Sequence, residues 1–534
     1  MTYALLAVYW LAVLGLCVFG LNCLVLCWQF RRHRTTRTAR LAALRADYRA
    51  RVRDEQLPRV TVQLPIFNER YVVDRLLEAV GQLDWPRDRL EIQVLDDSTD
   101  DTRELAAEHV ARLARRGLNI VHLHRTDRSG FKAGALKAGM AVANGELLAI
   151  FDADFVPQPS FLRDLVPFFE NPRVGLVQAR WGHLNRDLSP LTRAQGLAID
   201  GHFSVEQAGR CWAGWMLNFN GTAGMWRKAA IADAGGWQAD TLTEDLDLSY
   251  RAQLRGWQVE YAVDVEVPAE IPADIAAFKS QQRRWAKGSI QTARKLLPRV
   301  LRAPLPRVVR LQAALHLTHY LVHPLMVVVA ILAVPTLLLW PDNFHAPVWT
   351  WGLFGFMMMG GTCGPNFLYV TSQKALRPRE WGRRVRELPL LMVMGTGIAV
   401  SNTRAVVEAL LGIDSAFVRT PKRNLTDTSR RRSFSGYRSP LELAFVAETA
   451  LACWCAWGAV LYLQERKFLV GPFLAIYAVG YGWVALLSVR DAARIGRATR
   501  RERLLAERAL LREAELAAAE AEPEAAGLVE PPVA

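Results

Sequence analysis

The chain has 534 residues, is 51% hydrophobic and carries a formal net charge of +14. That length exceeds one ordinary domain; about three or four is the expectation. The apolar residues gather in uncharged blocks around a stretch of ordinary soluble composition, which excludes a uniformly water-soluble architecture.

The first block, Met1 to Phe30, contains no Asp, Glu, Lys or Arg. A bilayer is crossed by about 20 apolar helical residues. The block is too long for a signal-peptide core, has no basic start, and shows no small-residue cleavage pattern before RRHR. It reads as a retained transmembrane helix over 1–30, followed by a basic linker over 31–57.

From 58 to 300, strand-like and helix-like stretches alternate. RVTVQLPIF, LEIQVLDDST, LNIVHLHR and ELLAIFDADF read as strands. ERYVVDRLLEAVGQL, DDTRELAAEHVARLARRG and KAGALKAGMAVANG read as the intervening helices. The alternation predicts an α/β domain with a mainly parallel sheet.

Leu311–Pro341 and Asn343–Gln373 are free of charge and predict two further spans within 311–373. Leu388–Thr403 is shorter and interrupted by Pro389, Gly395 and Gly397, so 386–412 reads as an interfacial helix. Thr449–Gln464 and Phe468–Val489 give two last spans within 441–489. Residues 490–534 read as a charged helix and a disordered end.

Lys and Arg favour the cytoplasmic side. Five spans with an outside N-terminus place RRHRTTRTAR, KALRPREWGRRVR and RDAARIGRATRRER inside, together with the soluble domain. Topology and anionic lipid thus account for the positive charge. Its residues flank membrane segments rather than line one soluble face, which argues against nucleic acid as a partner. The seven cysteines show neither zinc-site nor disulfide spacing.

In a parallel sheet the ligand sits beyond the carboxyl ends of the strands. Three such ends are polar: PIFNE at 65–69, DDSTD at 96–100 and DAD at 152–154. Each alone reads equally as a turn or helix cap. Asp152 and Asp154, two residues apart on the extended strand ELLAIFDADF, face the same way and repel unless a cation stands between them. Mg2+ or Mn2+ suits such oxygen ligands. HRTDRSGFKAGALKAG adds Arg125, Arg128, Lys132 and Lys137 among glycines, a setting for phosphate or simply a basic solvated helix. TLTEDLDLSYRAQLRGW (241–257) carries acids at a helix start, where a dipole-stabilised cap competes with a catalytic role. FKSQQRRWAKGS (278–289) pairs Arg with Trp, as interfacial anchors also do.

In order, D-D-S, D-A-D, T-E-D and Q-x-x-R-W, flanked by apolar helices, resemble the processive family-2 glycosyltransferases. QLPIFNE, IQVLDDSTDDT, GFKAGALKAGM, IFDADFVP, FNGTAGMWR, TEDLDLSYRAQLRGW and QQRRW are similar to the cellulose-synthase-like A group of β-1,4-mannan and glucomannan synthases. The resemblance implies a GT-A-type (Rossmann-like) domain inserted between transmembrane helices. It implies that Glu69, Asp96 and Asp97 contact the base and ribose of a nucleotide-diphosphate sugar, that Lys132 approaches the diphosphate, and that Asp152 also belongs to the nucleotide-sugar site. Asp152 and Asp154 would hold the metal, and Asp245 would be the general base. Gln281, Arg284 and Trp285 would hold the diphosphate and the terminal sugar of a growing β-glycan. FVRTPK (417–422), within 413–435, resembles a gating loop: Phe417, Thr420 and Lys422 match, whereas Arg419 stands where valine is usual.

The implied function is an inverting, processive synthase in the inner (plasma) membrane, using GDP-mannose and exporting its product through its own helices. Trp340, Trp349, Trp351, Tyr369, Trp454 and Trp457 would stack on sugars there or anchor the helices at the interface. A UDP-glucose-dependent β-glucan synthase, a non-processive transferase to lipid and a nucleotide-binding transporter are the alternatives. Product length separates the second. Loss of nucleoside diphosphate release in Asp245→Asn separates the third.

Overall fold

The computed structural model describes residues 2–339, 347–415, 419–420, 422–426, 444–493 and 512. Phe417, Trp340 and most of the 490–534 tail lie outside them.

The soluble domain is built on seven strands: β1 (Val60–Ile66), β2 (Leu90–Asp96), β3 (Ile120–His124), β4 (Leu147–Ile150), β5 (Val174–His183), β6 (Gly224–Arg227) and β7 (Gln258–Ala269). They form one sheet in the order β3-β2-β1-β4-β6-β5-β7. The first four strands are mutually parallel, as the alternation predicts. β6 is antiparallel to both β4 and β5, while β5 and β7 run parallel. Strand β2 is buried at all seven positions because helices cover both faces. Helices α2 (Val73–Gly81) and α3 (Thr102–Arg115) cover one face, where Val62, Leu64 and Ala149 meet Leu76, Leu77 and Val110. Helix α4 (Phe131–Val142) covers the other, where Leu148 and Ile150 meet Ala133 and Leu136. The period-two alternation within β4 divides its residues between the two cores. This is the GT-A-type mixed α/β arrangement, and β1, β2 and β4 end at one edge.

Helix α1 is continuous over Thr2–Arg51, so the residues expected as a linker are helical. Leu41, Arg45 and Tyr48 are buried against the sheet domain. Arg45 ion-pairs with Asp264 and donates to the carbonyl oxygen of Asp164 at 2.9 Å. At 1.5 Å per residue, one rigid rod of about 75 Å ties the apolar region to the soluble domain.

Four described helices are long and apolar enough to cross a membrane: Thr2–Arg51, His319–Leu338, Ala444–Gln464 and Gly471–Ala493. The pair Trp381–Gly397 and Ala399–Leu411, bent by 43°, makes a fifth if it counts as one broken span. Helix Val348–Leu376 has the length, with 29 residues, but is less apolar than those four. Its glycines explain the lower apolarity and serve packing. A Cβ at Gly364 would stand 1.8 Å from the carbonyl oxygen of Gly20, and one at Gly20 would stand 2.2 Å from that of Gly360. Backbones approaching this closely need small residues on both sides.

Candidate active site

The carboxyl ends of β1, β2 and β4 open into one cavity. Its wall includes Glu69, Asp97, Lys132, Asp152, Asp154, Asp245, Gln281, Arg284, Trp285, Thr420 and Lys422. Residues scattered over more than 350 positions therefore meet in one space.

The loops after β1 and β2 are stitched together. Asn68 N–H donates to Ser98 Oγ at 2.9 Å, and Thr99 N–H donates to Asn68 Oδ1 at 2.9 Å. Asn68 adopts φ 53°, a left-handed conformation that asparagine tolerates. The adjacent acids Asp96 and Asp97 take separate roles. Asp96 is fully buried and off the cavity wall; it accepts from Ser98 N–H at 2.8 Å and pairs with His122 Nε2 at 2.9 Å. Burial pushes its carboxyl up, but those hydrogen bonds outweigh burial and hold it below the ordinary value. Asp97 faces the cavity and takes both prongs of Arg125, at 2.8 and 2.6 Å. Arg128 lies over the Phe67 ring, 3.4 Å from its centroid.

The D-A-D geometry differs from the expectation. β4 ends at Ile150, and Phe155 N–H closes a turn on the Asp152 carbonyl oxygen at 3.0 Å. The two carboxylates reach the cavity from a turn rather than from one strand face, and each has a lysine. Lys132 ion-pairs with Asp152, and Lys422 Nζ lies 2.7 Å from Asp154 Oδ2. Asp154 also accepts from Glu270 N–H at 3.1 Å. Two carboxylates on a polar cavity wall fit a hard divalent cation that completes its shell with phosphate oxygens. Among the described residues no group of three or more His, Cys, Asp or Glu could hold a metal.

Lys132 is buried, which by itself lowers an ammonium's affinity for its proton. Asp152, Glu244 and Asp245 reverse this and raise it above the ordinary lysine value. Its Nζ also donates to the Gly221 carbonyl oxygen at 2.8 Å. Asp245 stands in the first turn of helix Glu244–Leu254. Its carboxyl is pushed up to about 7, first by burial and then by Glu244, against Leu246 N–H, Lys132 and Arg284. Gly221 has φ +80°, and a Cβ there would sit 3.0 Å from Asp245 Oδ2 and 3.4 Å from Lys132 Nζ. Glycine in the FNGTAG motif thus keeps the space between acid and cation open. Asp247, the third acid of the motif, is buried behind them on Arg251 (2.7 Å) and Lys295 (2.9 Å).

Gln281, Arg284 and Trp285 project from helix Ile275–Arg302, which Asp274 caps through Ala277 N–H at 2.8 Å. The Trp285 ring lies 6.4 Å from that of Trp181. A Cβ at Gly288 would stand 2.5 Å from Thr243 Cγ2, so this helix lies directly against the T-E-D segment.

One acid of the site has no counterpart in the sequence expectations. Glu270, just beyond β7, accepts from Arg75 at 2.8 Å and from Arg423 N–H at 3.0 Å. Arg75 in turn donates to Asn424 Oδ1 at 2.7 Å. An acid just past the end of a β-rich run was the available signal, as at the other strand ends. Arg419, at the departure from the gating pattern, ion-pairs with Glu69 and donates to the Asn68 carbonyl oxygen at 2.6 Å.

Residues 58–288 match the family described as glycosyltransferase-like family 2. Among curated relatives, the chain is 46% identical over 259 residues to glucomannan 4-beta-mannosyltransferase 2 of Arabidopsis thaliana, covering 47% of this chain and 48% of that protein. It is also 46% identical over 250 residues to glucomannan 4-beta-mannosyltransferase 1 of Oryza sativa subsp. japonica, covering 46% and 48%. The chain spans about half the length of the curated relatives it matches. Among solved structures, a mannosyltransferase from Pyrobaculum calidifontis in complex with GDP-Man and Mn2+ aligns with TM-score 0.43 and 18% identity, over 75% of this chain and 100% of that one.

Proposed function

We propose that this protein is a membrane-embedded, inverting and processive hexosyltransferase that builds a β-1,4-linked mannan or glucomannan from GDP-mannose. One observation carries the reading: a carboxylate poised near neutrality, Asp245, shares a cavity with the D-x-D pair, Lys132 and the Q-x-x-R-W residues. The names of the relatives, each matched over just under half of this chain, support the sugar and the linkage.

In this reading the acceptor's terminal sugar lies on Trp285. Asp245 accepts the proton of its hydroxyl, the oxygen bonds to the anomeric carbon, and the bond from that carbon to the diphosphate breaks. The bonding pair leaves with the nucleoside diphosphate, whose charge Lys132 and Arg284 stabilise. Asp152 and Asp154 would hold Mg2+ or Mn2+, which supplies further positive charge to the diphosphate when bound. Asp97, Arg125 and the Phe67–Arg128 stack form the nucleoside side of the cavity. The apolar helices hold the domain at the cytoplasmic face of the inner (plasma) membrane and offer the product a way across.

The test supplies GDP-mannose, GDP-glucose and UDP-glucose separately to membranes containing the protein and digests the products with linkage-specific hydrolases. GDP-mannose is expected to give β-1,4-mannan, or glucomannan when GDP-glucose is also present. Incorporation from UDP-glucose alone would replace the mannan reading with a glucan one, and absence of nucleoside diphosphate release from all three would end the enzymatic reading. Product remaining wholly outside inside-out vesicles would remove the export component.

A further inference from the structure

The helix carrying Gln281, Arg284 and Trp285 has a second face that the proposed chemistry does not use. At about 100° per residue, Lys279, Arg283 and Lys287 fall within about 80° of one another, and the three cavity residues occupy the other side. The basic face meets carboxylates from the apolar helices. Lys279 Nζ lies 2.6 Å from Glu448 Oε1, with the two side chains 7% and 0% exposed. Ser488 Oγ stands 3.5 Å from the same nitrogen. Two turns on, Lys287 Nζ lies 3.1 Å from Glu408 Oε2, at 3% and 15% exposure. Glu408 Oε1 also lies 3.7 Å from Arg283 Nη2 and 2.8 Å from Arg404 Nε. At the helix start, Ile275 N–H donates to Asp491 Oδ2 at 3.0 Å. These acids come from helices Ala399–Leu411, Ala444–Gln464 and Gly471–Ala493.

A buried ion pair adds little net stability, because desolvation offsets the attraction; apolar residues of similar volume are often as stable. What a pair does impose is a fixed distance and direction between two groups. Two such pairs, eight residues or about 12 Å apart along one helix, fix both its axial position and its rotation. Gln281, Arg284 and Trp285 lie between them. We propose that Glu448 and Glu408 are positioning residues for sugar transfer: through Lys279 and Lys287, the apolar helices set where the Q-x-x-R-W face stands relative to Asp245. The inference rests on the glycosyltransferase reading of that cavity. A displacement of about 1 Å at a reacting centre is worth about a hundredfold in rate, so loss of register is expected in transfer rather than in folding.

A single Glu448→Gln leaves Lys279 as an uncompensated buried charge and tests folding as much as register. The informative variants are the apolar double Lys279→Met/Glu448→Leu and the reversed pair Lys279→Glu/Glu448→Lys, each in the full chain in membranes. Melting temperature, donor KM, kcat for transfer to an oligosaccharide and hydrogen exchange of amides 281–286 are measured. The apolar double is expected to melt near the parent and keep the donor KM. It should lose about a hundredfold in kcat and exchange faster over 281–286, and the reversed pair should recover part of the transfer. An apolar double matching the parent in kcat and in exchange would overturn the inference. A parent chain that released no nucleoside diphosphate would sink the enzymatic reading; positioning is then judged on exchange alone, where faster exchange supports it and unchanged exchange overturns it.

Discussion

Asp245 sets the pH at which the proposed reaction runs. Burial first and Glu244 second push its carboxyl up to about 7, while Lys132 and Arg284 pull it down. A general base works only when ionised, so the rate rises with pH through that value. A single ionisation near 7 takes the ionised fraction from about one-tenth at pH 6 to about nine-tenths at pH 8, and kcat/KM, which reports the free enzyme, follows it. The causes predict opposite displacements. Glu244→Gln removes a repelling carboxylate and moves the limb to lower pH; Lys132→Met removes an attracting cation and moves it to higher pH. Asp245→Asn should cost about 10²–10⁴-fold and flatten the limb. The assay is release of nucleoside diphosphate in the presence of acceptor between pH 5.5 and 9. A limb that stays put in both neighbouring variants, or survives in Asp245→Asn, would refute the assignment. For stability the sign is reversed. The folded chain retains a proton that the unfolded chain releases, so this group costs stability as pH rises from the ordinary aspartate range through about 7.

Glu69 is also raised to about 7, by burial against the pull of Arg419; Glu69→Gln should leave the Asp245 limb in place, which a pH profile of that variant checks. Gly221→Ala forces a Cβ into φ +80°, 3.0 Å from Asp245 Oδ2. We expect about 1–2 kcal/mol of lost stability by thermal melting, with a larger fractional loss of activity. Chelation should abolish donor turnover and added Mn2+ or Mg2+ restore it, while Asp154→Ala should lower kcat about 10²–10³-fold, the scale of a lost charge stabiliser. Gly364→Leu drives a side chain into the Gly20 carbonyl, where a Cβ already stands at 1.8 Å. Overpacking of this kind costs about 1–3 kcal/mol or more, read as a lower melting temperature in detergent.

The first four strands and their helices are legible because both chain periodicities are clean there and each strand is followed by its own polar end. β5 to β7 are less so. β6 has four residues, too few for a pattern, and its antiparallel place between β4 and β5 is decided by pairing partners more than 40 residues away. The D-D-S motif announces two acids but not their division of labour: one faces His122 behind the sheet edge and the other faces the cavity. β2 ends at Asp96, so the two acids part where the chain leaves the strand, and spacing alone does not say which of them turns inward. Arg75 and Glu270 are 195 residues apart, and nothing local marks them as partners.

The D-A-D pair shows most clearly where spacing runs out. Two neighbouring carboxylates require a cation, and that reasoning holds. Its premise of a continuous strand does not, since the turn at Asp152–Phe155 separates the two directions. Each carboxylate then meets an ammonium group, one from α4 and one from a segment 268 residues downstream. Protein cations therefore already satisfy the repulsion that the motif announces. In the proposed reaction a divalent ion arriving with the diphosphate would add charge where two lysines stand, and would compete with Lys422 for Asp154. Chelation and the Asp154→Ala rate, rather than the motif, separate a metal-dependent transferase from a site balanced by lysine alone.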